Sequence, residues 1–315
     1  MPRITGNLNE YIEGQSNRIV YPYGVDLAGF FVGHAVTIHN PSLRGDRQLL
    51  GAIENARMDA ELCARLRKRE IGNLFLGLVL DEQVHCLYQP IVAIQSGSIY
   101  GYEALVRGPR STDWQSPSAL FRIAEEHGLA FELDCLCRKA ALKGYSAHAQ
   151  SEHKLFLNCL PSAIHDPSLS ERHLRKTLES GGLKPSDLVL EVSERESIKN
   201  FSIFRDIRER YRSLGIKVAL DDTGAGYAGL EAVMQLAPDF IKADISLVRS
   251  VDRDAGRRVL LQALQDISKV IGAQVIAEGI ETDRELEALR QMGIPFGQGH
   301  LLGRPNRLEE FPARV

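Results

Sequence analysis

The chain has 315 residues, 44% of them hydrophobic and 25% charged, with a formal net charge of −3. Those proportions suit a folded globular protein and argue against disorder, and the length holds one large α/β domain plus an extension. The charge offers no basic field to a nucleic-acid polymer, so a small anionic ligand would need local cations instead.

Residues 1–13 carry no apolar segment behind a basic end, and no apolar run is long enough to span a bilayer, so neither a signal peptide nor a membrane span is expected. Cys63, Cys86, Cys135, Cys137 and Cys159 are odd in number and scattered, which reads as reduced thiols in a cytoplasmic protein. The clusters Tyr21-Pro-Tyr23 and Gly29-Phe-Phe31 point to no particular element. Leu49, Ile53, Ala56, Ala60 and Cys63 then follow 4-3-4-3 spacing with charges between them. That stripe predicts an amphipathic helix, either packed on its own domain or paired with a partner. The expected division is an extension over 1–73 and a main domain over 74–315.

Within the main domain, short apolar runs alternate with amphipathic stretches. The runs are 86–94, 99–106, 154–158, 188–192, 216–220, 240–243, 274–277 and a weaker one at 295–298. Several are rich in Val, Ile and Leu without polar alternation, as in strands buried on both faces. Helices are expected on Leu133, Leu136, Ala140 and Leu142; on Ile203, Ile207, Tyr211 and Leu214; and on Val259, Ala263, Ile267 and Val270. Gly215 and Gly272 sit where glycine would end two of these helices. Eight strand candidates with intervening helices predict a closed parallel barrel of the TIM type, (β/α)8, with an open doubly wound sheet as the alternative.

Polar residues fall late in these runs. Glu103 lies in the second, Asn158 ends the third, Glu191 the fourth, and Asp221-Asp222 the fifth; Lys242 and Asp244 close the sixth, Glu278 the seventh, and Gln298 sits in the eighth. An acid at a strand end is commonly a helix cap, but barrels of this type collect functional groups there, and eight in chain order form a pattern. Five carboxylates converging with one lysine cannot all stay ionised without shifted pKa values or bound metal. An all-oxygen set with one amide suits Mg2+ or Mn2+ rather than zinc or copper. An adjacent pair such as Asp221-Asp222 lets one carboxylate bridge two ions while its neighbour completes the second, the arrangement of two-metal phosphodiester hydrolysis.

These residues stand in segments that resemble the EAL-domain cyclic di-GMP phosphodiesterase family. The matching segments are Tyr-Gln-Pro-Ile (88–91), Glu-Ala-Leu-Val-Arg (103–107), Leu-Asn (157–158), Glu-Val-Ser-Glu (191–194), Asp-Asp-x-Gly-x-Gly-Tyr (221–227), Ile-Lys-Ala-Asp (241–244), Ala-Glu-Gly-Ile-Glu (277–281) and Gly-Gln-Gly (297–299). The resemblance implies that Glu103, Asn158, Glu191 and Asp221 bind a first divalent cation, with Asp221 bridging to a second held by Asp222. It implies that Lys242 positions and helps deprotonate the attacking water, with Glu278 and Gln298 completing the network. Gln89, Leu105 and Arg107 would hold the substrate, while Glu194, Asp244 and Glu281 support the site. The expected reaction opens cyclic di-GMP to linear pGpG. A homodimer, and a regulatory partner acting through residues 1–73, are the expected assemblies.

Thr223 stands where the family usually has Phe, and Ala225 and Ala228 also depart from its loop, which is linked there to dimerisation. The competing expectation is a receptor that binds cyclic di-GMP without cutting it; such relatives usually lack a metal acid or the lysine, and here every such position is filled. No Gly-Gly-Asp/Glu-Glu-Phe cyclase motif occurs, and the one His-Asp pair, His165-Asp166, lies in a loop context. Lone histidines such as His300 read as ordinary surface or core residues.

Overall fold

The computed structural model describes residues 31, 33–38, 40–146, 153–161, 178, 182–194, 197, 201–224 and 230–311. Tyr21-Pro-Tyr23, His165-Asp166, Ala225 and Ala228 lie outside these described residues. The chain forms two compact units, Met1–Gly77 and Leu78–Val315. No helix among the described residues is long and apolar enough to cross a membrane.

The expected helix near residue 50 is α1, Gly45–Leu80, 36 residues long and therefore about 54 Å from end to end. Its predicted stripe is only half covered. Ala56, Ala60 and Cys63 are half-buried, whereas Leu49 and Ile53 are 63% and 57% exposed. Cover comes from the extended segment at His34, whose backbone N–H donates to Asp59 Oδ2 at 3.1 Å. Periodicity records a capacity for burial, and the residues on the described chain meet it only around that contact.

All eight expected strands are present: β1 His85–Ala93, β2 Ile99–Arg107, β3 Lys154–Asn158, β4 Leu188–Ser193, β5 Lys217–Thr223, β6 Phe240–Ala243, β7 Gln274–Ala277 and β8 Phe296–Gly297. They close in sequence order into a barrel, which removes the doubly wound alternative. The expectation of an all-parallel barrel needs correction at its first strand. β1 runs antiparallel to both β2 and β8, while β2 to β8 are parallel. A parallel crossover needs a dozen or more residues. The link between β1 and β2 is a tight turn in which Gly97, at φ +68°, donates to Ala93 O, so only a hairpin can form.

Around the strands lie α2 Pro117–Glu126, α3 Ala130–Ser146, α4 Phe201–Ser213, α5 Leu230–Leu236, α6 Ile245–Val248, α7 Ala255–Ile271 and α8 Asp283–Gln291. Gly215 (φ +85°) and Gly272 (φ +75°) take the left-handed conformation expected after α4 and α7. On α7 the predicted face is half right: Ala263 and Ile267 are half-buried, with Ile267 packed on the core. Val259 and Val270 are 67% and 78% exposed, and the buried side carries Leu261, Leu264, Gln265 and Ser268. Two polar residues disguise that side, and both are satisfied internally: Gln265 Nε2 donates to Gly293 O at 3.0 Å and Ser268 Oγ to Gln265 O at 2.7 Å.

One layer of inward side chains plugs the barrel: Ile91, Phe156, Val189, Ala219, Phe240, Ile276 and Phe296. Phe156 and Phe240 meet edge-on with ring centroids 5.4 Å apart, and Tyr100 lies against Phe296 at 4.1 Å. Beside the exit of β7, Glu285 clamps three backbone donors. Its Oε1 accepts from Ser250 N at 2.8 Å, and its Oε2 accepts from Glu281 N and Thr282 N, each at 3.1 Å, while Thr282 Oγ1 caps α8 through Glu285 N. Glu285→Ala would leave these N–H groups without an acceptor, and urea unfolding should show a loss of about 3 kcal/mol. Glu285→Gln should retain part of that stability.

Candidate active site

Seven of the eight strands, or their exits, carry a polar residue two positions from their member of the apolar plug, and side chains two apart on a strand share a face; on β2, which has no plug residue, Glu103 stands two beyond Gly101. Thus Phe156 leads to Asn158, Val189 to Glu191, Ala219 to Asp221, Phe240 to Lys242, Ile276 to Glu278 and Phe296 to Gln298. On the reversed first strand the step runs backward, from Ile91 to Gln89, which faces Glu103 in the β1–β2 register. Glu103 is thereby a mid-strand residue, fifth of nine in β2, and not at its end.

Lys242 is the centre of this second layer. It is 1% exposed, and its Nζ lies 2.9 Å from Glu278 Oε1, 3.0 Å from Asp221 Oδ1, 3.1 Å from Glu191 Oε1 and 3.4 Å from Glu103 Oε2. Burial alone would depress the ammonium, but the four carboxylates together hold it well above the ordinary lysine value. The carboxylates divide by their other partners. Burial would raise Glu103, yet Lys242, Gln298 and Asn158 keep it below its ordinary value. Both amides donate to it, Gln298 Nε2 at 2.6 Å and Asn158 Nδ2 at 3.1 Å, and Gln298 Nε2 also reaches Gln89 Oε1 at 3.1 Å.

Glu191 lacks such donors. Burial and the neighbouring acids push it well above its ordinary value against the pull of Lys242, and burial with Asp221 and Glu103 pushes Glu278 up to about 8. Glu191 Oε2 is buried without a hydrogen-bond donor, and Glu191 Oε1 and Asp221 Oδ1, also buried, have only the shared Lys242 ammonium beside them. Asp222 follows Asp221 on β5 and would ordinarily point to the opposite face. Its backbone is left-handed at φ +56°, where the β5–β6 register also slips, and Asp is one of the few residues that tolerates this conformation. One oxygen each of Asp221, Asp222 and Glu278 consequently lies within 4.8 Å of the others. Hard oxygen donors, orphaned where they are buried and raised where they repel, fit a divalent cation site.

The remaining expected residues take more varied positions. Glu194 Oε2 accepts from Gly224 N at 3.1 Å, bracing the chain beyond β5. Asp244 does not pair with Lys242; its carboxylate caps α6 through Ser246 N at 2.8 Å. Glu281 pairs with Arg249 at 3.0 Å on the exposed side. Thr223 is buried, its Oγ1 directed to Leu220 O at 3.4 Å. Leu105 and Arg107 lie further out along β2, on the face of Glu103.

A cavity of about 190 Å³ opens beside Gln89, Glu103, Glu278 and Gln298, and Gly279, Gly299, Ile245 and His300 also line it. Sequence reasoning gave none of these four a role in the site and read His300 as an ordinary surface or core residue. The glycines had a signal, since each follows a site residue directly. A Cβ on Gly299 would meet the Ile280 backbone at 2.2 Å, and Gly279 has φ +69° with Ile245 Cγ1 at 2.3 Å from where a Cβ would stand. Only glycine lets the exits of β7 and β8 approach, joined by Ile280 N donating to Gln298 O at 3.1 Å.

Comparison with known proteins places this geometry. The EAL domain family matches residues 76–305. A cyclic di-GMP phosphodiesterase of Pseudomonas aeruginosa, NbdA, is 32% identical over 273 residues, which are 84% of this chain and 33% of that protein. A probable cyclic di-GMP phosphodiesterase of Escherichia coli, PdeB, is 30% identical over 71% of this chain and 43% of its own length. The chain spans about a third of the length of the first curated relatives it matches. Among solved structures, the manganese/cy-diGMP complex of Klebsiella pneumoniae BlrP1 at pH 9.0 aligns with a TM-score of 0.64 at 32% identity, covering 71% of this chain and 56% of that one. With the family's segment running over most of the barrel and a relative at 32% identity across 84% of the sequence, the chain belongs to the EAL domain family.

Proposed function

We propose that the chain hydrolyses cyclic di-GMP to linear pGpG with two divalent cations, Mg2+ or Mn2+. The observation that carries this reading is the Lys242 ammonium within 3.4 Å of carboxylates contributed by four strands or their exits. The kinship with NbdA and BlrP1 supports the substrate. Glu103, Asn158, Glu191 and Asp221 would hold one cation, and Asp221 with Asp222 the other. When bound, the cations neutralise charge on the phosphoryl oxygens and acidify water.

The protein's own groups do the rest. Lys242, ringed by Glu278, Asp221, Glu191 and Glu103, would orient the attacking water and by its charge help it lose its proton. Glu278, whose Oε1 lies 2.9 Å from Lys242 Nζ and which lines the open cavity, would accept that proton. The water oxygen bonds to phosphorus, the bond from phosphorus to the 3′-oxygen breaks, and that oxygen is protonated from solvent at the open mouth. Gln89, Leu105 and Arg107 would hold the substrate, Gln298 would fix Glu103 and Gln89 relative to each other, and Glu194, Asp244 and Glu281 would support the surrounding loops. In the same reading, residues 1–73 form an extension that carries none of this machinery and serves regulation or a homodimer; the exposed apolar residues of α1, among them Leu49, Leu50 and Ile53, support it.

Three outcomes test this reading. With purified protein, Mn2+ and cyclic di-GMP, chromatography should show linear pGpG; excess chelator should abolish turnover reversibly, and Asp221→Asn should cost about a hundredfold or more. Undiminished turnover in chelator would refute it. Lys242→Ala should lower kcat about 10²- to 10⁴-fold while KM stays within about tenfold. The same change should lower the metal-free Tm, because four acids lose their ammonium; saturating Mg2+ should restore Tm but not kcat.

The third outcome concerns pH. Glu278 titrates near 8 in the fold, against an ordinary 4.5. A raised acid favours the fold fully below its unfolded value, and that contribution is lost as pH rises through the folded value. Glu103, held low, acts oppositely, with its effect confined to acid conditions. Metal-free Tm should therefore fall from about pH 5 to pH 8, and Mn2+ at about a hundred times its Kd should raise Tm at pH 8 by about 5–10 °C. A metal-free Tm that climbs across this window contradicts the assignment.

A further inference from the structure

Among the buried residues of α3, Asp134, Arg138, Ala141 and Tyr145 follow 4-3-4 spacing and so form one stripe. Ala141 and Tyr145 join the apolar cluster that also holds Leu155 and Leu157 of β3. Asp134 and Arg138, 2% and 3% exposed, are instead an ion pair, with the Arg138 guanidinium donating to Asp134 Oδ2. Burying two charges costs more than burying two apolar side chains of similar volume, and replacing such a pair by hydrophobic residues is often neutral or stabilising. Stability alone does not account for charge in this stripe.

The pair has a second set of contacts, at the exit of β3. Asp134 Oδ1 accepts from Leu160 N at 3.3 Å, and Arg138 Nη1 lies 4.0 Å from Cys159 Sγ. Cys159 and Leu160 are the two residues that follow Asn158. The strand ladder gives little hold there: pairing with β2 ends at Leu157 opposite Ala104, and Asn158 stands beside Glu191 of β4 alone. Asn158 is exposed, unlike the three residues before it, yet its Nδ2 donates to Glu103 Oε1 on β2 at 3.1 Å. Beyond β6 and β7 the chain is tied by backbone acceptors, Thr223 O for Asp244 N and Ala243 O for Glu278 N. Beyond β3 the Glu191 carbonyl holds Cys159 N at 2.9 Å, and a helix carboxylate takes over at Leu160. A carboxylate makes a stronger tie to an N–H than a neutral acceptor does, and the planar fork of Arg138 fixes how that carboxylate is turned.

We propose that Asp134, held by Arg138, is a positioning residue for Asn158: it fixes the chain beyond β3 so that the Asn158 amide faces Glu103 and the cation site. This inference rests on the reading of Asn158 as a cation ligand. Groups that orient a metal ligand without touching the metal commonly change its affinity by about 10- to 100-fold. The ion pair thus trades a neutral or unfavourable burial for the placement of one amide.

The test replaces the pair by apolar residues of similar size, Asp134→Leu with Arg138→Met, and metal-free Tm should stay level or rise. Calorimetric titration with Mn2+ should nevertheless show affinity weakened about tenfold or more. In an Asn158→Ala background the same replacement should weaken Mn2+ by less than about twofold, because its effect passes through Asn158. Equal weakening in both backgrounds, or none in either, overturns the proposal. Should the double replacement fail to fold, Asp134→Asn, which keeps an acceptor for Leu160 N but breaks the charge pair, goes through the same cycle. It should weaken Mn2+ about threefold in the same non-additive pattern, and an additive pattern overturns the proposal. If the unmodified chain binds no Mn2+, the cation reading fails separately, and metal-free NMR decides the positioning alone. The Asn158 side-chain amide, donated to Glu103 in the unmodified chain, should then take the shift of a free amide in the folded variant; an unchanged resonance overturns the proposal.

Discussion

Lys242 places one ammonium, 1% exposed, within 3.4 Å of four carboxylates, and the architecture around it follows from what that arrangement costs. Burying charge is expensive unless the partners are held in register and the remaining lone pairs are satisfied. The barrel supplies the register, because Glu191, Asp221 and Glu278 each stand two residues above a packed apolar side chain, and Glu103 is held mid-strand between β1 and β3. The aromatic plug of Phe156, Phe240 and Phe296 beneath the acids keeps water from entering from below. Asn158 and Gln298 satisfy Glu103, which stays ionised, while Glu191 and Glu278 are left raised. One lysine cannot neutralise so many acids, and that imbalance is what a divalent cation would relieve.

The reversed first strand serves the same centre in two ways. Because β1 returns beside β2 through a short turn, Gln89 approaches the mouth from the opposite chain direction and still reaches Gln298 and the Glu103 register. A parallel strand in that place would need a crossover helix. The hairpin instead leaves a ribbon free to extend past the barrel, carrying His85 and Arg107 away from the acids.

Local backbone conformation completes the site where strand geometry alone would not. Strand alternation would send Asp222 away from Asp221, and the left-handed turn at φ +56° brings their carboxylates to one point with Glu278. Such a conformation is strained for most residues and persists where its surroundings enforce it. Here Gly224, directly downstream, is tied to Glu194. Gly279 and Gly299 act similarly by permitting close approach, so that the exits of β7 and β8 hold Glu278 and Gln298 side by side.

The sequence by itself determined the strands, their order and the polar residue of all but the first, because a parallel barrel strand announces itself as a short apolar run and the residue it offers to the mouth as a polar break in that run. Asn158, Glu191, Asp221, Lys242 and Glu278 were legible in this way. The direction of β1 was decided by the turn at Gly97, a signal present in the sequence but outweighed by the pattern of the other seven strands. Burial was less legible: Val259 and Val270 match helical periodicity yet face solvent, since Gln265 and Ser268 find internal hydrogen-bond partners that only the packed structure provides. Likewise, that Asp244 caps a helix while Lys242 gathers four distant acids depends on contacts between residues far apart in the chain. Spacing along a sequence fixes which face a side chain takes; which groups meet across the barrel is fixed by closure of the sheet.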